Sequence, residues 1–479
     1  MKTFRHASLI VATSTLVACG GQPTLRSYDL SPRARLQGTA GPAATPATTL
    51  TSFPDAAPPT KKSTSKVETV IFANGVQLVV QEAKGMPLVS VTVSSGIALP
   101  PDVAELRSES LGSSTTQRDS NEIWTALNYI GARYEANSSY SDSYLSLSVL
   151  SNILQQGIRN AIELSLSATF ERDNIAKERI ALKKTAAADL DLDTTAHMAM
   201  RHLLYPLEHP YWFSGTDIAK RAADVPTERI VAMQKEVHDS APLVIAVVGA
   251  TNMAQVRPIV EPLVSKLPKR AALPALVGDA PPLKRSVVVI DKKDSTQAYV
   301  LVGGVGVHGN HADYPGLRMA VSHMSERARF HMRLEHGASY GGGATFGWYR
   351  GPGPIFIGGQ VEVSSVGENV QSILTELNAM TKAPLGEGDA SNASERLREE
   401  TAYLRTTNLS NSQWLASLTI LGRHIDDKLA TASAEDVRRA AATYLPADRV
   451  PIVVVGDQEK ILPQLRALKI GDVKVETAP

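Results

Sequence analysis

The chain reads as an α+β protein made of two homologous halves, and two internal echoes carry that reading. The run from Pro242 to Gly249 and the run from Pro451 to Gly456 are both short, apolar and strand-like, and both end on glycine. Each follows a helical stretch, ending near His238 and near Tyr444, and each leads into another amphipathic helix. The two glycines are 207 positions apart, half of the 414 residues from Lys66 to Pro479. In the second echo, Leu145, Leu147 and Val149 alternate with serines before a helix starting near Asn152. Ile357, Val361 and Val363 likewise precede a helix starting near Val366. Self-similarity at one long period is what a duplicated unit leaves in a sequence.

The elements of the first half follow in order. Val70 to Val80 and Leu88 to Ser95 read as paired strands around Asn74-Gly75 and Lys84-Gly85 turns. A helical stretch runs from Asp102 to about Leu111. A second helix runs from Ser120 to Gly131, with Ser120 as N-cap, Ile123, Leu127 and Ile130 on its apolar face, and Gly131 as its stop. Pro268 to Pro282, rich in Pro and Ala, marks the boundary between residues 66–270 and residues 283–479. Asp313 to Arg333 reads as one long amphipathic helix ending at Gly337 before a strand.

Composition removes several function classes. With 49 Lys+Arg against 48 Asp+Glu the formal charge is +1, which provides no electrostatic footprint for nucleic acid. The 43% hydrophobic content with 5% aromatics suits aliphatic cores. The single Cys excludes a disulfide framework within the chain and any Cys-based zinc cluster.

That cysteine falls at the end of an export signal. Lys2 and Arg5 form a basic start, Ser8 to Val17 is a short apolar run, and the small-residue site follows. The run is far short of the roughly 20 apolar residues needed to span a bilayer. Leu16 to Cys19 resembles the lipobox of bacterial lipoproteins, which implies a signal peptide over 1–18 and a lipidated Cys19. Gly20, not the acidic residue that holds such lipoproteins in the inner membrane, implies the outer membrane, facing the periplasm. Residues 19–65 are dense in Pro, Thr and Ala and read as a flexible tether.

Four segments carry a wider resemblance. They are Phe72 to Val80, Pro87 to Gly96, Leu111 to Gly131, and Tyr205 to Tyr211 with Ser214 to Thr216. In this order they resemble the insulinase/pitrilysin zinc peptidases, over nearly all of Lys66 to Pro479. The resemblance implies two α/β-roll halves like those of processing peptidases, each a mixed, mainly antiparallel sheet covered by helices. Active members carry H-x-x-E-H on the helix after the second strand, two His for zinc and a Glu to activate water. At those positions this chain has Glu105, Ser108 and Glu109. The third family ligand would fall near Glu178 and binds nothing alone. This chain is therefore expected to hold no metal and to be inactive alone, with zinc expected on a partner.

Other ligand sets are weaker. His308 and His311, with Asp313, lie in a Gly-rich loop, and His331 and His336 are five apart, a poor spacing for one helix face. The segment Met332 to Tyr340 resembles the family's second-half Arg-x6-Tyr element. There the arginine holds substrate carbonyls and the tyrosine supports the tetrahedral intermediate, which assigns those roles to Arg333 and Tyr340. Gly341, Gly342 and Gly343 follow, either to let a peptide backbone approach or to bend the strand.

An Arg/Tyr half without a zinc half makes sense in a pair. The sequence thus leads to a lipid-anchored, non-catalytic subunit that completes the peptide chamber of a zinc-bearing homologous peptidase. The alternatives are a peptide-binding or scaffold lipoprotein, and an autonomous metallohydrolase with relocated ligands.

Overall fold

The computed structural model describes residues 66–96, 101–207, 209–272, 282–335, 342–347, 349–422 and 432–477. Cys19, His336, Gly337, Tyr340 and Gly341 lie outside the described residues. The first half runs β1 (Val67–Ile71), β2 (Gln77–Glu82), β3 (Leu88–Gly96), α1 (Pro101–Ser110), α2 (Ser120–Tyr129), β4 (Arg133–Ser138), β5 (Asp142–Leu150), α3 (Leu154–Leu166), α4 (Arg172–Ala186), α5 (Leu192–Leu204), α6 (Gly215–Ala222), α7 (Thr227–Asp239), β6 (Leu243–Gly249) and α8 (Met253–Val264). The second runs β7 (Val287–Asp291), β8 (Gln297–Val305), α9 (Tyr314–Arg329), β9 (Gly342–Phe346), β10 (Pro354–Glu362), α10 (Val366–Lys382), α11 (Glu387–Leu404), α12 (Asn408–Ile420), α13 (Ala434–Tyr444), β11 (Ile452–Gly456), α14 (Gln458–Ala467) and β12 (Val473–Glu476). Among the described residues no helix is long and apolar enough to cross a membrane.

Two six-stranded mixed sheets result, ordered β1-β2-β6-β3-β5-β4 and β12-β7-β11-β8-β10-β9. From the second position onward the strands correspond one to one. β6 lies parallel to β2 and antiparallel to β3, as β11 lies parallel to β7 and antiparallel to β8. Only the outer neighbour of β2 and β7 differs: it is the antiparallel N-terminal β1 in one half and the parallel C-terminal β12 in the other. The α+β, two-half architecture expected from the sequence is present.

One pairing expected from the sequence is wrong. The Asn74-Gly75 turn does join β1 to β2, but β2 and β3 are not neighbours, because β6 lies between them. Every residue of β6 is buried, and such a strand needs partners on both edges. Its last residue, Gly249, has φ 149°, and a Cβ there would stand 2.2 Å from the Leu88 carbonyl oxygen. Only glycine lets β3 pass that closely. The cap of α2 is also corrected: Asp119, one residue before Ser120, accepts from the Glu122 amide and forms a capping box with Glu122.

Each sheet buries one face under its own helices. Val89, Val91, Leu145 and Leu147 pack with Ile158 and Val256, and Val300, Val302 and Ile355 pack with Leu317, Met324 and Val370. The opposite faces are covered by exchange. α5 of the first half lays Ala196, Ala199 and Met200 on Val288, Leu301 and Val453 of the second sheet. α12 of the second half lays Leu415, Ala416 and Ile420 on Val79, Ala246 and Val248 of the first.

Candidate functional site

The helix after β3 brings the degenerate zinc positions together but leaves them no zinc chemistry. α1 is buried at eight of its ten positions, including Arg107 and Ser108. The Ser108 hydroxyl donates to the Ala104 carbonyl at 2.9 Å and lies 3.0 Å from the Ser143 hydroxyl. It is therefore tied to its own helix and to β5, away from any water it could activate. Glu105 is half-buried and accepts a bond from the Ser138 hydroxyl at 2.9 Å. Burial raises its pKa, and that bond offsets part of the rise.

Glu109 lies one turn further on and is exposed. The protein mass around its carboxyl, then the charges of Glu105 and Glu178, push its pKa up to about 7. Glu178 on α4 thus does face this corner. Among the described residues, however, no group of three or more His, Cys, Asp or Glu is placed to hold a metal ion. The residues present do not fit zinc: Glu105, Glu109 and Glu178 repel one another, and no imidazole joins them in a ligand set.

Sequence reasoning missed Arg107. Its guanidinium is 1% exposed and is held only by neutral acceptors. Nε donates to Gln234 Oε1 at 2.9 Å, Nη1 to the Ser143 hydroxyl at 2.9 Å and Nη2 to the Ser165 carbonyl at 3.2 Å. Burial lowers its pKa to about 10. This arginine bolts α1 to β5, α3 and α7. No periodicity announced it, because an arginine in the x-x of a degenerate motif looks like a surface residue.

In the second half the helix expected from Asp313 to Arg333 is shorter and changes type. α9 ends at Arg329, and Phe330–Glu335 forms a π-helical turn. The buried residues Met324, Ala328 and Met332 are spaced by four, which overruns a 3.6-residue turn by about 40° each time. The wider turn takes up that surplus. Arg333 lies in the π-helical turn, exposed. Of the glycines after it, Gly342 and Gly343 lie close against the helix and its turn. A Cβ at Gly342 would stand 2.2 Å from Met332 Sδ, and one at Gly343 would stand 3.2 Å from the Ser325 hydroxyl. They let β9 lie against α9.

His308, His311 and His331 serve the scaffold. His308 and His311 face each other edge-on at 5.5 Å, and their Nδ1 atoms accept the amides of Asn310 and Asp313. Asp313 is engaged by Arg439 and by the Tyr444 hydroxyl. His331 Nε2 lies 2.9 Å from Glu376 Oε1, which also receives Arg327. The relocated-ligand reading therefore finds no ligand set among the described residues.

The segment from Tyr205 to Tyr211 closes the seam between the halves. The Tyr205 hydroxyl donates to the Pro352 carbonyl at 2.8 Å, and the Gly351 amide donates to the Tyr211 hydroxyl at 2.9 Å. Tyr140, from the β4–β5 turn, meets Tyr349, from the β9–β10 loop, at 5.6 Å. Arg201 Nη1 donates to the Tyr211 carbonyl at 3.1 Å, with its guanidinium over the Tyr140 ring.

Comparison with known proteins agrees with this geometry. Residues 225–397 match the family model described as peptidase M16 inactive domain. No curated protein sequence matches the chain. Among solved structures it is similar to a peptidase M16 inactive domain from Pseudomonas fluorescens, with TM-score 0.71 and 19% identity over 82% of this chain and 98% of that one. It is similar to a protease from Helicobacter pylori, with TM-score 0.71 and 14% identity over 82% and 99%. It is also similar to a conserved protein from Enterococcus faecalis V583, with TM-score 0.65 and 12% identity over 82% and 99%. At these identities the structural likeness speaks for the fold. Residues 225–397 are thus similar to the peptidase M16 inactive domain, the chain shares the fold of these solved structures, and the resemblance read from the sequence is borne out to that extent.

Proposed function

We propose that this chain is the non-catalytic subunit of a heteromeric zinc metallopeptidase. In this reading a zinc-bearing homologous partner cleaves peptides or unfolded proteins, and Arg333 with Tyr340 supplies the substrate-binding half. The observation that supports it is the contrast between α1, which follows β3, and α9, which follows β8. α1 is sealed and bolted by Arg107, whereas α9 ends in a turn that puts Arg333 in solvent. A guanidinium fork suits peptide carbonyls, and a phenol suits the oxyanion that forms when one is attacked.

Cleavage by the reconstituted pair is the test, with complex formation measured separately. Tyr340→Phe, which deletes one donor to the oxyanion, is expected to lower kcat by roughly 10²–10³. Arg333→Lys keeps charge but loses the fork, so it is expected to weaken substrate binding as well. Unchanged cleavage with Tyr340→Phe and Arg333→Ala, in a complex that still forms, makes these residues structural and replaces this reading with that of a peptide-binding or scaffold lipoprotein. The isolated chain is expected to hold well under one zinc per molecule. Stoichiometric, dialysis-resistant zinc required for cleavage by the isolated chain sinks the non-catalytic assignment.

We also place the protein at the cell envelope, anchored through lipid on Cys19 to the outer membrane and facing the periplasm. Cys19→Ser is expected to release it from membranes. A variant that still sediments with membranes in high salt contradicts the anchor.

A further inference from the structure

We infer that Gly342 and Met332 form the positioning pair for Arg333, locking the π-helical turn that presents its guanidinium to a peptide. The inference rests on the reading of Arg333 given above.

Two consecutive residues of the turn are pinned in different directions. Met332 is 1% exposed, and its sulfur occupies the space a side chain at Gly342 would need. A Cβ at that glycine would stand 2.2 Å from Met332 Sδ, 3.3 Å from the Gly358 carbonyl oxygen and 3.4 Å from the Ala328 carbonyl oxygen. The site is thus enclosed by the turn, by β10 and by α9, and the thioether fits only because residue 342 lacks a side chain. His331 is drawn the other way, 2.9 Å from Glu376 Oε1 on α10. The same oxygen receives Arg327 Nε at 2.9 Å and Nη2 at 2.6 Å, so the carboxylate is fixed before His331 reaches it.

With residue 331 held by α10 and residue 332 held by β9, the backbone at residue 333 has one direction left, outward. Arg333 is exposed, so its placement comes from its neighbours. π-helical turns are rare and cluster at functional positions. A long side chain that grips a ligand from a fixed backbone loses less freedom on binding than one on a loose backbone. This turn occurs in the segment that the resemblance assigns to substrate, and no equivalent lies on α1.

Two readouts on the full-length chain separate position from function. Hydrogen exchange of amides 330–333 reports the turn, and the affinity for a fluorescein-labelled unfolded peptide reports Arg333. Gly342→Ala and, more strongly, Gly342→Val are expected to speed exchange at 330–333 and to weaken the peptide by on the order of tenfold, the effect of losing a charge-assisted hydrogen bond. Adding Met332→Ala to Gly342→Ala removes the blocking sulfur and is expected to restore both readouts in part, although Met332→Ala alone opens a cavity. Glu376→Gln keeps the shape, loosens His331 and Arg327, and is expected to give a smaller loss in both. Should Gly342→Val misfold, the double variant and Glu376→Gln still decide the matter.

Arg333→Ala is expected to weaken the peptide with exchange unchanged. If Arg333→Ala weakens the peptide while Gly342→Val and Glu376→Gln leave affinity at the starting value, the positioning role is overturned. If Arg333→Ala itself has no effect on the peptide, the underlying reading of Arg333 fails, and the inference falls with it.

Discussion

The two halves share a strand order and differ in what they do with the helix that follows β3 in one and β8 in the other. α1 has ten residues, eight of them buried, and its one arginine is turned inward onto neutral acceptors. α9 is buried along most of its length, yet it opens into a π-helical turn and delivers its arginine to solvent. The same topology thus holds one helix as a strut and the other as a presenting arm.

The helices exchanged between the halves differ in a parallel way. α5 meets the second sheet mainly through an apolar surface, with Met200 seated on Gly303, where a Cβ would stand 2.2 Å from its sulfur, beside an Asp193–Tyr299 hydrogen bond and the His197 ring against Phe356. α12 meets the first sheet partly through hydroxyls and amides. Thr92 lies 2.7 Å from the Ser412 hydroxyl, Asn411 donates to Gln81, and Ser417 donates to the buried Asp142. Apolar contact is worth more per group than a hydrogen bond that replaces one to water. The α5 side is therefore the stronger seam and the α12 side the more directional one.

The comparison can be broken at four points, the largest effect first. Arg107→Ala takes the donor from the buried Gln234 Oε1, removes a second bond each from Ser143 and the Ser165 carbonyl, and opens a cavity, so it should cost about 3–5 kcal/mol of unfolding free energy. A loss below about 1 kcal/mol in urea titration would show that α1 is not bolted. Met200→Ala should cost about 2–4 kcal/mol for the same reason of lost contact. On the opposite seam Ser412→Ala should cost only about 1 kcal/mol, because Thr92 keeps its bond to Ser146, 2.9 Å away. Equal losses at Met200 and Ser412 would erase the distinction between the seams.

The smallest effect is one of pH. The Glu109 carboxyl, raised from 4.5 to about 7, keeps in the folded chain a proton that the unfolded chain has already released. Stability must then fall as pH rises from about 4.5 to 7. Glu109→Gln should flatten that slope in thermal melts across the window. An unchanged slope would place Glu109 in ordinary solvent, clear of Glu105 and Glu178.

Particular residues show how far a linear reading reaches. The glycine-ended runs at Gly249 and Gly456 were legible because each strand is apolar on both faces, a pattern that needs no partner to be recognised. The altered motif at Glu105, Ser108 and Glu109 was legible because metal chemistry names its side chains. The insertion of β6 between β2 and β3 was not, since the residues that pair with β2 lie more than 160 positions later. Nor was the end of α9, where a spacing of four fits a regular helix nearly as well as a π-helical turn over a short stretch.

The sequence by itself determined the two-half pattern, the α+β class and which side chains stand at 105, 108 and 109. These depend on residue type and on spacing along one chain. Only the tertiary structure decided that Arg107 is a bolt, that α5 and α12 are exchanged between the halves, and that Gly342 makes room for Met332. Each of those is a contact between residues in different elements, and a contact depends on the distance and direction of a second group that no local pattern encodes.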